Sequence, residues 1–435
     1  MLRHGPARCR EGISLTEISV RTEQDPSGLL ARCIKKDDSA VTAQTLTGLS
    51  PEDWHDSLAL AASQRVRPLL WHRLKEKGLS EAVPANVAEE LGMALRRNII
   101  RNLRLQADLH RLLSALTPQG ISAIVLKGIF LAEAVYGNIG LREMNDIDLL
   151  ARPADLSRIA NVLMTMGYKP LLTVDANITL DAEQHLPRMI RNGHGTFEIH
   201  WNLTRPNERY SINPDELWER AVPARIAGCD TLALSPEDLL LHLCYHTSYH
   251  HLFAFGLRPL CDIAETITRF NVKWRTLTER ANRWGWQRGV YPALALAKDV
   301  AGARVPAEIL EELCPDDATE TIMQTMGAQV FTDKTLANSV SPTLAELLQN
   351  NSPFGKTLIF WQRVFAPKTF IAAQYSVPSN SPKIYLCYPR RFIDLIRHHG
   401  STTMKHRRSV PLQALARRTK HIVKWLAGSV PDGND

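Results

Sequence analysis

The stretch Arg142-Glu-Met-Asn-Asp146-Ile-Asp148-Leu-Leu150 places two aspartates one residue apart inside an otherwise apolar segment. Successive side chains of a β-strand point to opposite faces, so Asp146 and Asp148 share one face while Ile147 and Leu149 face the core. Two neighbouring carboxylates repel each other, and each raises the pKa of the other unless a cation lies between them. Carboxylates on a rigid strand suit Mg²⁺, which completes its shell with water and substrate phosphates. The segment therefore predicts a metal-dependent site.

The pattern on both sides of this segment predicts a small α/β unit of about 85 residues. Strands are expected over 121–126, 146–151, 168–174 and 196–203, and helices over 129–136 and 153–166. Leucines spaced by three and four predict helices between 51 and 116, and a capped helix begins near Ser235. The fold class expected is α+β, with a small mixed sheet flanked by helical regions on its N-terminal and C-terminal sides.

At 435 residues the chain exceeds the size of a single hydrophobic core, so several parts are expected. Their predicted bounds are a poorly ordered lead-in (1–50), a helical region packing on the core (51–118), the core itself (119–210), a helical domain (211–330), and an irregular segment with a basic tail (331–435).

A site that binds two metal ions needs a third carboxylate and a turn that presents backbone N–H groups to phosphates. Glu198 is the candidate third carboxylate, and His200 shares its face of the predicted strand. Lys127-Gly128 lies between a strand and a helix, where free N–H groups and the helix dipole favour anions. Lys127 adds a mobile charge and Arg142 a planar guanidinium, although Arg142 could instead pair with Asp146.

The chain resembles a bacterial family of uncharacterised nucleotidyltransferases within the polymerase-beta-like nucleotidyltransferase superfamily. The residues that carry the resemblance form an ordered series: Leu126-Lys-Gly128, Tyr136-Gly137, Arg142, Asp146-Ile-Asp-Leu-Leu150 and Ile199-His-Trp201. The resemblance covers about residues 50–300 and implies a polymerase-beta-like core. It also implies transfer of a nucleoside monophosphate from a triphosphate such as ATP to a hydroxyl acceptor, with release of pyrophosphate.

The resemblance implies roles for individual residues. Two Mg²⁺ ions, or Mn²⁺ in their place, would lie about 3.5–4 Å apart. The implied catalytic and metal-binding residues are Asp146, Asp148 and Glu198. The implied nucleotide-binding residues are Lys127, Gly128, Arg142 and His200. Glu198 would hold the metal that activates the acceptor hydroxyl and would accept its proton. Further candidates for the pocket wall are His246 and Asp262.

Two other functions stay open at this point. A glycosyltransferase can use D-x-D to bind a metal–nucleotide-sugar complex, although such folds place the motif after several α/β units and one strand precedes it here. A non-catalytic nucleotide-binding or partner-binding descendant also fits, because Lys127-Gly128 stands where the wider superfamily carries Gly-Ser. The serine hydroxyl that binds phosphate there is therefore missing.

A set of histidines follows the core. His242, His246 and His250 are spaced by four, and His251 lies beside them. Spacing of four can supply two ligands to zinc. No glutamate follows the first histidine as in H-E-x-x-H, and the family resemblance implies no zinc. Hydrogen-bonded histidines in a pocket wall fit this pattern better than metal ligands.

Positive charge is concentrated in the tail. Between Leu395 and Pro431 there are eight Lys or Arg and no Asp or Glu, against a formal charge of +7 for the whole chain. The rest of the chain is therefore near neutral, which argues against a broad nucleic-acid surface. A helix is expected over 411–428, either gripping an anionic membrane or RNA or docked on the body. Its apolar side comprises Leu412, Leu415, Ile422, Val423 and Leu426.

The location expected from sequence is the cytoplasm. The chain has no run of about 18 apolar residues, and Met1–Ser14 lacks the apolar region of a signal peptide. The seven cysteines are scattered without a C-x-x-C pair, as in proteins of a reducing compartment. The basic tail is the element expected to contact the inner membrane face, if any does.

Overall fold

The structure is a computed structural model, and it describes residues 25–36, 40–171, 184–205, 209–332, 381–395 and 410–428, with isolated positions between 361 and 377. Helices precede and follow one mixed sheet, which confirms the α+β class. Within the described residues, no helix combines the length and the apolar content that a membrane span requires.

The described strands form one seven-stranded sheet. They are β1 (Ala123–Val125), β2 (Asp146–Ala151), β3 (Lys169–Pro170), β4 (Met189–Ile190), β5 (Thr196–His200), β6 (Val222–Ile226) and β7 (Cys229–Ala233). Their order across the sheet is β3-β4-β5-β2-β1-β7-β6. The strand β2 lies at the centre, antiparallel to β1 and parallel to β5.

Helices cover this sheet and extend beyond it. Those before the sheet are α1 (Pro26–Ile34), α2 (Ala43–Thr47), α3 (Pro51–Ser63), α4 (Arg67–Glu76) and α5 (Ala85–Leu116). Those between strands are α6 (Lys127–Phe130), continued by a π-helical turn (Leu131–Val135), then α7 (Leu156–Thr165) and α8 (Asp215–Glu219). Those after the sheet are α9 (Pro236–Tyr245), continued by a π-helical turn (His246–His250), α10 (Leu257–Arg269), α11 (Trp274–Arg283), α12 (Gln287–Ala301), α13 (Ala307–Leu313), α14 (Glu320–Val330), α15 (Ile384–Leu395) and α16 (Val410–Leu426).

Local sequence explains where key elements begin and end. The strand β2 has the predicted bounds, because its apolar residues Ile147 and Leu149 are fully buried. The helix α9 begins as predicted, with the Ser235 hydroxyl accepting the backbone N–H of Asp238 at 3.3 Å. The strand predicted over 168–174 is observed at Lys169–Pro170, and residues 172–183 lie outside the described part of the chain.

The sheet continues past the predicted core boundary at residue 210. The hairpin β6–β7 lies inside the region predicted to be a helical domain, and β7 pairs in parallel with β1. Its turn is Ala227-Gly228, with φ of 53° and 75°, the left-handed geometry of a two-residue hairpin. The sequence of β6 includes Pro223 and Arg225, so it lacks the apolar alternation that identifies a strand.

Part of the lead-in, expected to be poorly ordered, forms the helices α1 and α2. Leu29 and Leu30 of α1 are buried in the main core, and α1 packs against α3, α4 and α12. Polar residues around this short apolar cluster hide its periodicity in the sequence. Its order comes from tertiary packing rather than from helix propensity.

The tail helix α16 docks on the body through its apolar face. Trp425 Nε1 donates to the carbonyl of Asp317 at 3.3 Å, and Arg418 donates to the carbonyl of Ala328 at the end of α14 at 3.2 Å. Val423, predicted to be on the apolar side, is 38% exposed. The buried apolar residues are Leu412, Leu415, Ala416, Ile422, Trp425 and Leu426. Contact of its exposed cations with RNA or an anionic membrane stays a prediction.

This docking predicts unequal effects at two adjacent positions. Ile422→Val should lower the free energy of unfolding by about 0.5–1.5 kcal/mol, because it removes a methylene from a fully buried side chain. Val423→Ala, at the exposed position, should change it by less than about 0.5 kcal/mol. Urea denaturation of both variants measures the difference. Equal effects would mean that α16 does not pack as described.

Candidate active site

The three predicted carboxylates lie on adjacent parallel strands. In the register of β2 and β5, Asp146 lies opposite Thr196 and Asp148 opposite Glu198. Alternation along each strand puts Asp146, Asp148 and Glu198 on the same face, where all three line one cleft of about 200 Å³. Asp148 and Glu198 are buried, and Asp146 is partly exposed. The sequence thus predicted correctly which face of the sheet these side chains share.

Positively charged and imidazole groups contact two of these carboxylates. Asp148 Oδ1 lies 3.2 Å from Lys127 Nζ and 3.2 Å from His200 Nε2. Glu198 Oε1 lies 2.6 Å from Arg188 Nε, and its Oε2 lies 3.7 Å from His200 Nε2. His200 therefore bridges the two strands, in keeping with its predicted position on the face of Glu198.

These contacts shift the pKa values of the two aspartates in opposite directions. Burial, and then the charge of Asp148, raise the pKa of Asp146. Burial alone would raise the pKa of Asp148, but Lys127 and the hydrogen bond with His200 outweigh it and lower that pKa. The expected mutual increase therefore appears at Asp146 alone, because the nearby cations act mainly on Asp148.

The pKa values of His200 and Glu198 are also shifted. Burial alone would lower the pKa of His200, but its hydrogen bonds to Asp148 and Glu198 outweigh that effect and raise it. Burial alone would raise the pKa of Glu198, but the hydrogen bond with His200 lowers it. His200 therefore connects Asp148 and Glu198, which lie on two adjacent strands.

The donor atoms suit a divalent cation. One oxygen each of Asp148 and Glu198 and one ring nitrogen of His200 all lie within 4.8 Å of one another. Carboxylate oxygens are the ligands that Mg²⁺ and Mn²⁺ prefer. The ammonium of Lys127 beside Asp148 shows that this corner of the cleft stabilises positive charge. The donor atoms of this cluster therefore fit one divalent cation of this class.

A comparison with protein families matches residues 50–302 to the family described as uncharacterised nucleotidyltransferase. The chain belongs to this nucleotidyltransferase family. The matched range runs from the start of α3 to the end of α12, so it contains the sheet and all residues that line the cleft. Comparisons with curated proteins and with solved structures gave no significant match.

In this family member, Arg142 is paired with Asp262 rather than with Asp146. Its Nε and Nη2 donate to the two carboxylate oxygens of Asp262 at 2.9 Å each, and Tyr136 donates to the same carboxylate at 2.9 Å. Both partners are buried and both line the cleft. Two of the three guanidinium nitrogens of Arg142 therefore donate to Asp262, which reduces the number of hydrogen bonds that Arg142 can donate to a phosphate.

Gly128 allows the start of α6 to approach β2 closely. A Cβ atom at this position would lie 3.3 Å from the carbonyl oxygen of Asp146 and 3.9 Å from Nη1 of Arg142. The first distance is shorter than ordinary van der Waals contact. A glycine therefore fits the wall between Lys127 and the aspartates, where the sequence predicted an anion-binding turn.

The long helix α5 fixes the loops that lead into β2 and β5, the two strands that carry the carboxylates. Asn98 and Asn102 donate to the carbonyl of Arg142, at 3.1 and 2.9 Å, just before β2. Asp108, also buried, accepts the backbone N–H of Gly195 at 3.1 Å, just before β5. One rigid helix therefore holds both carboxylate-bearing strands in place in this family member. Sequence reasoning did not identify these three residues. Helical periodicity alone does not distinguish buried polar residues that bind a loop from polar residues that face solvent.

The opposite wall of the cleft comes from α9, its π-helical turn and α10. His246 Nε2 lies 3.2 Å from Lys127 Nζ, and Asp262 also lines this wall, so both candidates for the pocket wall lie in the cleft. Sequence reasoning missed Gln184, Arg188 and Arg258. No local motif marks these residues, since tertiary packing brings them to the cleft.

Arg258 is a buried cation with an incomplete set of partners. Its Nη1 donates to the carbonyl of Glu143 at 2.7 Å, and its guanidinium lies 5.0 Å from the ring centre of Phe255. Its Nε has no hydrogen-bond partner within the described part of the chain, and no described carboxylate lies within 4.0 Å. Burial, and then the charge of Arg142, lower the pKa of Arg258 to about 10.

Proposed function

We propose that the protein transfers a nucleoside monophosphate from a nucleoside triphosphate to a hydroxyl group of an acceptor and releases pyrophosphate. The observation that carries this proposal is the convergence of Asp146, Asp148 and Glu198 on adjacent parallel strands in one cleft. The central position of β2 between β1 and β5 supports the polymerase-beta-like core that the resemblance implies.

The carboxylates would hold two Mg²⁺ or Mn²⁺ ions. Asp146 and Asp148 would contribute to both ions and Glu198 to one, with His200 beside them. When bound, the ions would polarise the α-phosphate and offset the charge that develops on the leaving pyrophosphate. Glu198 would also accept the proton of the acceptor hydroxyl.

The carboxylates of the cleft have different positively charged neighbours. The side chain of Arg188 is 57% exposed and pairs with the buried Glu198, so an acceptor would approach this carboxylate from the side of Arg188. Lys127 and Arg258 also line the cleft, and the triphosphate would bind beside these two cations. Arg142 would contribute mainly by holding Asp262, with its Nη1 near Gly128 left for a phosphate oxygen.

Arg258 provides a test of the phosphate assignment. Arg258→Met should weaken binding of the Mg²⁺–triphosphate complex about 10–100-fold, the value of a charge-assisted hydrogen bond. Stability of the free protein should not fall, because the substitution removes a buried cation that has no carboxylate partner. Calorimetric titration and thermal melting measure the two effects. Unchanged affinity would exclude Arg258 from the phosphate site.

Labelled nucleotides test the reaction itself. Each of the four triphosphates, labelled on the α-phosphate, would be incubated with the protein, Mg²⁺ and a cell extract as a source of acceptors. The α-label should move to an acceptor, and a γ-label should appear in pyrophosphate. Movement of the γ-label to an acceptor would indicate phosphoryl transfer instead. Binding without transfer of either label would favour the non-catalytic alternative.

A further inference from the structure

Three histidines on the cleft wall are brought together by the π-helical turn after α9. The backbone N–H of His251 donates to the carbonyl of His246 at 3.2 Å, a hydrogen bond that spans five residues. In a regular α-helix, residues five apart lie about 140° apart around the axis. The wider π-helical turn places His251 near the face that carries His246 and His250. Such turns are rare and frequently occur at functional sites.

The donor atoms of this trio are close enough to bind one ion. One ring nitrogen each of His246, His250 and His251 lie within 4.8 Å of one another, and Nε2 of His246 lies 3.2 Å from Nε2 of His251. Tetrahedral bonds of 2.0–2.1 Å to zinc place neighbouring ligand nitrogens about 3.3 Å apart. The observed separation therefore already suits a shared metal ion.

Neighbouring groups affect the orientation and the pKa values of these histidine rings. The amide Nε2 of the buried Gln184 lies 3.3 Å from Nε2 of His250, and its Oε1 has no hydrogen-bond partner within the described residues. A half-turn of that amide would let Oε1 accept a hydrogen bond from the Nε2–H group, which leaves Nδ1 of His250 unprotonated for a ligand. Burial and the charge of Lys127 lower the pKa of His246, and burial and His250 lower that of His251 to about 3. Neutral imidazole is the form that binds metals.

The surrounding backbone holds the turn in this unusual form. The chain leaves it through Leu252 and Phe253, with φ of 48° and 62°, a left-handed geometry that bulky residues rarely adopt. Gly289 of α12 packs against it, and a Cβ there would lie 2.4 Å from Ser248 Oγ. Backbone strain of this kind persists where surrounding structure enforces it, and it is concentrated at functional sites.

We propose that His246, His250 and His251 bind a transition-metal ion of the Zn²⁺ class, at a site distinct from the carboxylate site. Imidazole nitrogens suit Zn²⁺ and Co²⁺, whereas carboxylate oxygens suit Mg²⁺ and Mn²⁺. Three protein ligands leave a fourth position open to the cleft, where water or a phosphate oxygen can bind. The cleft would then carry a hard and a softer metal on opposite walls.

Lys127 lies between the two sites. Its Nζ is 3.2 Å from both Nε2 of His246 and Oδ1 of Asp148. A metal ion bound to the histidines requires this ammonium to move away from His246. The ammonium then remains in its ion pair with Asp148. Removal of the charge in Lys127→Met should therefore tighten metal binding at the histidines, by about tenfold.

The test is a titration of the full-length, chelator-treated protein with Co²⁺ in saturating Mg²⁺, which occupies the carboxylates. The wild type should bind one equivalent and develop the visible absorption of tetrahedral Co²⁺. His250→Ala and His251→Ala should each weaken binding at least about 100-fold. His250 is exposed, so its variant should keep the fold, as thermal melting would check.

Two matched variants complete the experiment. His55→Ala, at an exposed histidine of α3, should bind Co²⁺ like the wild type. Asp148→Asn should still bind one equivalent of Co²⁺ in the presence of Mg²⁺, but more weakly, because it removes the ion pair that holds Lys127 away from His246. The proposal is overturned if the wild type binds no Co²⁺ or if His250→Ala binds it unchanged. It is equally overturned if binding disappears in Asp148→Asn and survives in the histidine variants.

Discussion

Asp146→Asn is expected to abolish nucleotidyl transfer while the free protein stays at least as stable as the wild type. The activity loss should reach about 10³-fold or more, equivalent to about 4 kcal/mol of transition-state stabilisation. Stability should hold because burial and the charge of Asp148 already disfavour the ionised form of Asp146. Asparagine keeps the shape and removes that repulsion. Pyrophosphate release and thermal melting in the absence of Mg²⁺ measure the two quantities.

Asp148→Asn should lose the same activity but with a different effect on the fold. Asp148 is buried and lies within 3.2 Å of both Lys127 and His200, so its charge stabilises the folded state. Loss of those charge-assisted contacts should lower the free energy of unfolding by about 1–3 kcal/mol. The contrast between the two aspartates follows from the opposite shifts of their pKa values.

An exposed aspartate supplies the control for this pair. Asp56→Asn, on the outer face of α3, should change neither transfer nor melting. Retention of transfer in Asp146→Asn would remove that carboxylate from the catalytic set. Equal melting of Asp146→Asn and Asp148→Asn would contradict the description of Lys127 and His200 as direct partners of Asp148 and not of Asp146.

Asp262→Ala should lower the free energy of unfolding by about 3–5 kcal/mol. Asp262 accepts two hydrogen bonds from Arg142 and one from Tyr136, and it pairs with a guanidinium that is itself buried. Removal of one partner leaves an uncompensated charge in the interior, which costs far more than the pair itself contributes. Chemical denaturation measures the loss.

Two further variants separate this effect from a general effect of lost ion pairs. Arg225 and Asp230 form a 2.8 Å ion pair with both side chains largely exposed, so Asp230→Ala should cost less than about 1 kcal/mol. The double variant Arg142→Met with Asp262→Leu should recover most of the stability lost in Asp262→Ala, because no buried charge remains. A double variant as unstable as Asp262→Ala would show that side-chain packing, rather than charge, explains the loss.

The sequence was sufficient to predict the central strand β2 and the face on which its carboxylates lie. In β2 the apolar residues alternate with Asp146 and Asp148, and this period of two is a local property that does not depend on the rest of the fold. Glu198 could be assigned to the same face because β5 carries its own alternation. Its placement directly opposite Asp148 depends on strand register, and the structure supplied that detail.

The other wall of the site could not be predicted from local pattern. Arg142 meets Asp262 across 120 residues, and Arg258 reaches the cleft because α10 packs over the sheet. The π-helical turn at His246 has no sequence signature that separates it from an ordinary helix. The hairpin β6–β7 was missed because Pro223 and polar residues obscure its strands. In each case tertiary contacts override the local preference.

The most direct test of the central claim is anomalous diffraction from crystals of the protein soaked with Mn²⁺ and a non-hydrolysable nucleoside triphosphate. The account predicts Mn²⁺ peaks in contact with the carboxylates of Asp146, Asp148 and Glu198, with the triphosphate extending toward Lys127 and Arg258. A nucleotide bound elsewhere, or Mn²⁺ absent from these carboxylates while nucleotide is present, would contradict it.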